Sequence, residues 1–430
     1  MFLPAWGDSP PTSCSIASPV GEVRLVPDWK TFKPMPGRPQ SGMVHCLLLS
    51  DKDTPPICPR TFLKTVLNSH FMSYTVLKVM VGFELEFNLF RKTSISGISS
   101  PLPSQPVDDS VYCQTSSYDG CATILETMVT RLEEIGIECI QIHAESAPGQ
   151  FEISMKHAEA ITAADNLIFA KEIISAVATD NGLDVSFLPK LSPSAAGNGC
   201  HCNFSLVNAN NDRSLMAEVH VDGNGNSGLI LSGIANKFMS GILHKLPALL
   251  IFTTPTSNSF GRLKPSTWSG AYQCWGENNR EAPIRLVKGY PDDDDWGASW
   301  RCELKSFDHT ANPYIALAVM VSFGMNIRNL DLDLDLSDPV PPLPPPVNVD
   351  PETLTVEERM ARGIMKLPNK LEDVLALWVS SKRRLEYFLP DLEEFYPLLE
   401  GYLAVKASEL ENIGKKLSSE EQVAMLWKRY

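Results

Sequence analysis

The chain is 430 residues long, more than one ordinary core accommodates, and length alone suggests roughly two or three domains. Hydrophobic residues make up 43% and charged residues 20%, a balance that excludes a disordered or fibrous chain. Lys and Arg number 37 against 51 for Asp and Glu; the net charge of −14 argues against a surface for nucleic acid or anionic membrane. No apolar run approaches the ~20 residues of a membrane span. The opening MFLPAWGDSPP lacks a basic n-region and a long apolar stretch, so no secretory signal is expected there. The ten cysteines are scattered without a CxxC pair and read as reduced, buried thiols of a cytoplasmic protein.

In chain order, residues 1–75 are Pro-rich, with strand signals at 22–26 and 44–49 and a helical stretch at 59–67. They read as a small β-rich module, and the late first strand leaves its completeness open. From residue 77 long strands alternate with helices. Residues 120–136 and 158–181 have helical periodicity and stop at Gly or Asn-Gly. Asp308 is placed to cap a helix containing 315–325, with Pro313 in its first turn. Residues 331–350 alternate charge and then become Pro-rich, the pattern of a solvated, extended connection. The remainder, 351–430, reads as a helical tail with mixed charges on its solvent faces.

Strand alternation gathers polar residues on single faces in four places. In VGFELEFNL, Gly82, Glu84, Glu86 and Asn88 oppose Val81, Phe83, Leu85, Phe87 and Leu89. Carboxylates at i and i+2 on a strand stand about 6.5–7 Å apart. Beside so apolar a face they are costly unless a cation binds or they stay protonated; the competing reading is the exposed face of an edge strand. In IQIHAESAPGQFEI, Gln141, His143 and Glu145 line one face, Pro148-Gly149 turns, and Gln150 and Glu152 follow. His201, Asn203 and Ser205 oppose Cys200, Cys202 and Phe204, which turns the two thiols away from the imidazole and disfavours zinc. In WRCELKSF, Arg301, Glu303 and Lys305 oppose Cys302 and Leu304. Five Glu and one His on such faces suit Mg²⁺ or Mn²⁺. Arg262, Arg280, Arg285, Arg301 and Lys305 fall close together in an otherwise acidic chain, and beside a metal site they suggest a phosphorylated substrate.

GFELEF, HAESAPGQFEI, GNGCHCNFSL, NSFGRLKPSTWSGAYQCWGENNREAPIR and WRCELKSFDHTANPY resemble, in order, the motifs of the glutamine synthetase catalytic domain. ELKSFD and the Trp of PSTWSGAYQCWG look most like the fungal FluG-type branch, without its amidohydrolase half. The resemblance implies an α+β fold: a small N-terminal β-grasp domain at 1–75, its completeness open, then a catalytic domain at 76–430 built on a curved antiparallel sheet with flanking and C-terminal helices. It implies ring-shaped homo-oligomers with active sites between subunits. Carried over by motif, Glu86, Glu145 and Glu152 hold one divalent metal, and Glu84, His201 and Glu303 the other. Arg262 grips a substrate carboxylate, Arg280, Arg285 and Arg301 address phosphates, and Ser205 approaches the nucleotide. The implied activity is that of an ATP-dependent acid–ammonia/amine ligase of nitrogen metabolism: ATP phosphorylates a carboxylate, and an amine attacks the acyl phosphate.

Four positions depart from the family pattern, and they surround the acceptor. Trp268 replaces the flap Glu; an indole cannot act as a base but can stack on an amine. Ala196 replaces the Asn that holds the glutamate backbone, Asn203 replaces a second His, and Lys305 replaces an Arg, keeping charge but losing the bidentate fork. Asp8 is a counterpart for the acidic residue that helps bind ammonium, and Tyr112 for the Tyr lining the site. The expectation is a ligase whose amine, acid or both differ from ammonium and glutamate. The alternative is a catalytically impaired scaffold or developmental signalling protein, against which stand all six metal ligands. A phosphagen-type kinase has no specific motif here, and a zinc hydrolase would need HxH or HExxH.

Overall fold

The computed structural model describes residues 4–430 except 15, 17–21, 50–55, 70–71, 73–74, 93–104, 110, 290–296, 298, 326–340, 380–384, 386–388, 390–391 and 428. Strands β1 (Arg24–Pro27), β2 (Lys33–Pro34), β3 (Gly42–Met43) and β4 (Cys46–Leu49) form two antiparallel ladders, β1 with β4 and β2 with β3. Helix α1 (Pro59–Leu67) spans the expected residues; Pro59 sets the helical φ of its first turn, and Phe62, Leu63 and Val66 turn inward.

The chain then builds the main sheet. Its elements are β5 (Leu77–Arg91), β6 (Gln105–Pro106), α2 (Thr115–Glu134), β7 (Cys139–Ala144), β8 (Gln150–Met155), β9 (Ala158–Glu159), α3 (Ala160–Asp180), β10 (Leu183–Ser186) and β11 (Cys200–Asn208). After the hairpin β12 (Ala217–Val221) and β13 (Ser227–Leu231) come α4 (Gly233–Thr253), β14 (Tyr272–Gln273), β15 (Trp275–Glu277), β16 (Ile284–Val287), β17 (Arg301–Leu304) and α5 (Pro313–Met325). The strand order is β15-β16-β17-β11-β5-β8-β7, with β6, β9 and β10 also pairing to β5. The sheet is antiparallel as expected, apart from one parallel pair, β15 with β16. Mixed sheet and flanking helices give the α+β class.

One face of the sheet is dry. Val81, Phe83, Leu85, Phe87 and Leu89 of β5 are buried with Phe151, Ile153, Cys200, Cys202, Cys302 and Leu304, and α3 packs against β5. Cys200 and Cys202 thus face away from His201, and none of the ten cysteines is joined in a disulfide. Helix α5 is apolar on every side because α1 and α4 both pack on it. At the α4–α5 crossing a Cβ on Gly241 would strike the carbonyl oxygen of Phe323, and one on Gly324 would meet the Phe238 ring at 2.5 Å. Arg60 binds Asp165 through two bonds of 2.9 and 2.8 Å and Asp28 at 2.8 Å, while Tyr314 Oη donates to Asp165 at 2.7 Å. That cluster fastens α1 to α3, α5 and the turn after β1.

Several local expectations need correction. Helix α2 begins five residues before the expected 120, and α3 two after 158; both stop before a left-handed glycine, Gly136 at φ +77° and Gly182 at φ +70°. The α5 N-terminus is capped by Asn312, which accepts from Ile315 N at 3.2 Å; Asp308 instead accepts from Thr310 N at 2.9 Å. Residues 331–340 lie outside the described residues; 341–350 are extended and mostly exposed, as expected, but are anchored to the sheet. Val347 is buried, its N donates to Trp275 O at 2.8 Å, and Trp275 Nε1 donates to Pro344 O at 2.7 Å, so this segment straps the sheet edge. The tail contains helices Val356–Ala361, Leu371–Val379, Tyr396–Glu409 and Ser419–Leu426. Not all its charges face solvent: Lys406 and Glu409 form a buried pair at 2.8 Å. Among the described residues no helix is long and apolar enough to cross a membrane.

Candidate active site

The polar face of the sheet carries a continuous row of side chains. In antiparallel strands directly opposed residues point to the same side. Glu86 on β5 lies opposite Glu152 on β8, and Glu152 opposite His143 on β7. Glu84 lies opposite His201 on β11, Asn203 opposite Glu303 on β17, and Glu303 opposite Arg285 on β16. A period-2 pattern in each strand, with this register, converges the acids in one cavity of about 560 Å³.

Two groups of ligand atoms stand out. Atoms of Glu84, His201 and Glu303 lie within 4.8 Å of one another, as do those of His143, Glu145 and Glu152. His201 Nδ1 is 3.0 Å from Glu84 and 3.2 Å from Glu303, and His143 Nε2 is 3.0 Å from Glu145. The first group is the expected trio. In the second, His143 joins where Glu86 was expected; Glu86 sits beside both groups, its carboxylate 3.7 Å from His201 Nε2 and accepting from Gly199 N at 2.8 Å. Burial, then Glu84 and Glu86, push Glu152 up to about 8, and burial also raises Glu86. Burial and Lys305 oppose charge on His201, yet Glu303 and Glu84 outweigh them and raise it to about 9. Burial alone would raise Glu303, but Lys305, His201 and Arg285 hold it well below the usual range. Protons are thus drawn to a cluster with more carboxylates than cations. An oxygen-rich, half-buried set of this kind fits hard divalent ions.

Cations line the rest of the cavity. Arg285 Nη1 and Lys305 Nζ bind Glu303 at 3.1 and 2.9 Å; Arg301 Nε donates to Asn203 at 3.1 Å. Arg262 is buried, and its Nη2 donates to the carbonyls of Lys305 and Phe307 at 2.9 and 3.1 Å. At the mouth the Arg280 guanidinium lies 5.7 Å from the Trp268 ring, and Tyr112 meets that ring edge-on at 6.2 Å and His143 at 5.9 Å. Trp268 has φ +57° and Ser266 φ +55°, so the flap holds two side-chain-bearing residues in the left-handed region. Trp268 N donates to Glu281 at 2.9 Å.

Most expected residues therefore share one cavity, including Tyr112 and Ala196 at its lip. Ser205 lies on the polar face of β11 opposite Met80, yet does not line the cavity. Asp8 is remote, paired with Arg429 at 3.2 Å. Sequence reasoning saw His143 on its strand face but did not group it with Glu145 and Glu152. It missed a buried amide net altogether: Gln150 Nε2 donates to Asn198 Oδ1 at 2.8 Å and Gly197 O at 3.0 Å, and Asn198 Nδ2 donates to Asn88 at 2.8 Å and Leu188 O at 2.9 Å. The available signal was Gln150 and Asn88 on polar strand faces.

The glutamine synthetase catalytic domain matches residues 56–424. The chain belongs to the glutamine synthetase family. Its members are ATP-dependent ligases that use divalent metal ions. Among relatives, the gamma-glutamylpolyamine synthetase GlnA3 of Streptomyces coelicolor is 30% identical, covering 84% of this chain and 72% of that protein. The glutamine synthetase of Clostridium saccharobutylicum is 32% identical, covering 82% and 74%. Protein fluG of Emericella nidulans is 30% identical over 95% of this chain but only 42% of its own length. A solved structure described as a novel glutamine synthase homolog shares the fold with TM-score 0.76 at 26% identity, covering 97% of this chain and 87% of that one.

Proposed function

We propose that this glutamine synthetase family member joins a carboxylic acid to an amine other than ammonium, through an acyl phosphate. The observation that carries the reading is Trp268. Where the family pattern has a carboxylate, an indole stands at the cavity mouth beside Tyr112, with His143 and Glu145 behind it. Two aromatic rings above an acid suit an organic amine better than ammonium. The likeness to a gamma-glutamylpolyamine synthetase supports the same conclusion.

Glu84, His201 and Glu303, with Glu145, Glu152 and Glu86 or His143, are suited to hold two ions, Mg²⁺ or Mn²⁺, which when bound polarise phosphoryl oxygens. Arg262 orients the acid, and Arg280, Arg285, Arg301 and Lys305 balance charge on the phosphoryl group in flight. A carboxylate oxygen forms a bond to the terminal phosphorus of ATP as the bond to ADP breaks. The amine nitrogen then attacks the acyl carbon and phosphate departs. Trp268 cannot take the amine's proton; the departing phosphate can.

We further read the protein as a ring-forming homo-oligomer, with residues 1–75 as a β-grasp module reaching a neighbour's cleft. Leu25, Trp29 and Phe32 stand 63%, 70% and 50% exposed there, which supports a covered surface. Ten cysteines without a disulfide support a reducing, cytoplasmic setting. The test of the ligase reading is ADP release with Mg²⁺ over a matrix of carboxylates and amines, with hydroxylamine added to trap acyl phosphate as hydroxamate. Hydroxamate from at least one acid, with an organic amine preferred to ammonium, is expected. Glutamine made from ammonium at rates equal to the best amine, or no ADP with any pair, contradicts it.

A further inference from the structure

A second cavity, of about 380 Å³, shares segment 305–310 with the active site as a wall. Lys305 lines the catalytic side, and His309 and Thr310 line the other. We propose that this second cavity binds a small carboxylate with an apolar body, separately from the ligase substrates. The side chain that carries the inference is Lys171 on α3. Its Nζ donates to the carbonyl oxygen of His309 at 3.1 Å and stands 5.1 Å from the centre of the Phe187 ring. An ammonium has three donors, and among the described residues the other two meet no acceptor.

The other charges of the lining are matched or solvated. Lys406 Nζ and Ala5 N both donate to Glu409 at 2.8 Å, Arg429 pairs with Asp8 at 3.2 Å, and Glu172 is exposed. Burial holds Lys171 below the ordinary lysine range in spite of Asp308 and Glu172, so an incoming carboxylate would offset what burial costs its charge. Helix α5, 13 residues long, starts at Pro313 in the same wall, and its N-terminal dipole adds positive potential. Leu167, Ile168, Pro313 and Val405 give the cavity an apolar side, which a carboxylate with a hydrocarbon body covers and inorganic phosphate does not. Pro4 and Ala5 close it: both are buried, and Trp6 Nε1 donates to Ser408 at 3.2 Å.

The probe is 4-bromobenzoate, titrated calorimetrically into the full chain loaded with Mg²⁺ and ADP, and soaked into its crystals. A bromine anomalous peak is expected in this cavity, with the carboxylate at Lys171 Nζ. Inorganic phosphate should bind at least about tenfold more weakly. Lys171→Met is expected to weaken 4-bromobenzoate at least about tenfold. Ile168→Trp fills the cavity while leaving the ammonium in place, and should weaken it as much. Unchanged ADP affinity shows that each variant is folded; should Lys171→Met fail to fold, Ile168→Trp decides alone. Bromine only beside Arg262, phosphate binding as tightly, unchanged affinity in a folded variant, or no heat at millimolar probe overturns the proposal.

Discussion

Glu152 shows what the crowding of acids does to a single side chain. Burial and two neighbouring carboxylates lift it to about 8, while His201 is raised to about 9. Both folded-state values lie above those of the unfolded chain. Their contribution to stability is then complete below the unfolded values and is lost as pH rises through about 8 to 9. Metal-free protein should melt at least ~2 °C lower at pH 9 than at pH 7, and Mg²⁺ should recover more of the loss at pH 9; a flat thermal-shift profile would count against the site. Glu303→Gln keeps the shape but removes the charge facing Lys305 and Arg285, and should cut ADP release by roughly 10²-fold or more at saturating substrate. Trp268→Glu should move amine preference toward ammonium, read as a ratio of kcat/KM values; an unchanged ratio would remove the flap from the account. Which carboxylates face the cavity was legible because alternation alone sets Glu84 and Glu86 opposite Phe83 and Phe87. That His143 stands beside Glu152 was not, because cross-strand register decides it.

Elements were easier to find than their joints. Helix α1 and the left-handed stops at Gly136 and Gly182 follow from local rules, whereas the cap of α5 depended on whether Asp308 or Asn312 came within reach of Ile315 N. The close crossing of α4 and α5 was invisible in sequence, since an isolated glycine in an apolar helix carries no pattern. Gly241→Ala should cost about 1–3 kcal/mol in chemical denaturation, because Phe323 backbone must shift to admit the methyl. Arg60→Met removes the buried cation from Asp165, leaving its charge only the Tyr314 hydroxyl and His45 as polar neighbours, and should cost about 3–5 kcal/mol by the same measurement. Arg60 foremost, with Lys64 and against burial, holds Asp28 down to about 2; its stabilisation is present above the ordinary carboxylate range and lost as pH falls through about 2.

At the scale of the whole molecule, one sheet separates a dry core from a cavity that gathers acids near its middle and cations around them. The family motifs announced this plan in order, and 341–350 is the extended, largely exposed segment expected; its anchoring by Val347 and Trp275 was not legible, because proline-rich composition reads alike with or without such bonds. The central claim is that the acids of that cavity bind paired divalent ions. Anomalous diffraction from crystals grown with Mn²⁺ and ADP tests it most directly. Two peaks are expected, one among Glu84, His201 and Glu303 and one beside Glu145 and Glu152. Density showing those side chains free of Mn²⁺ at millimolar concentration would contradict the account.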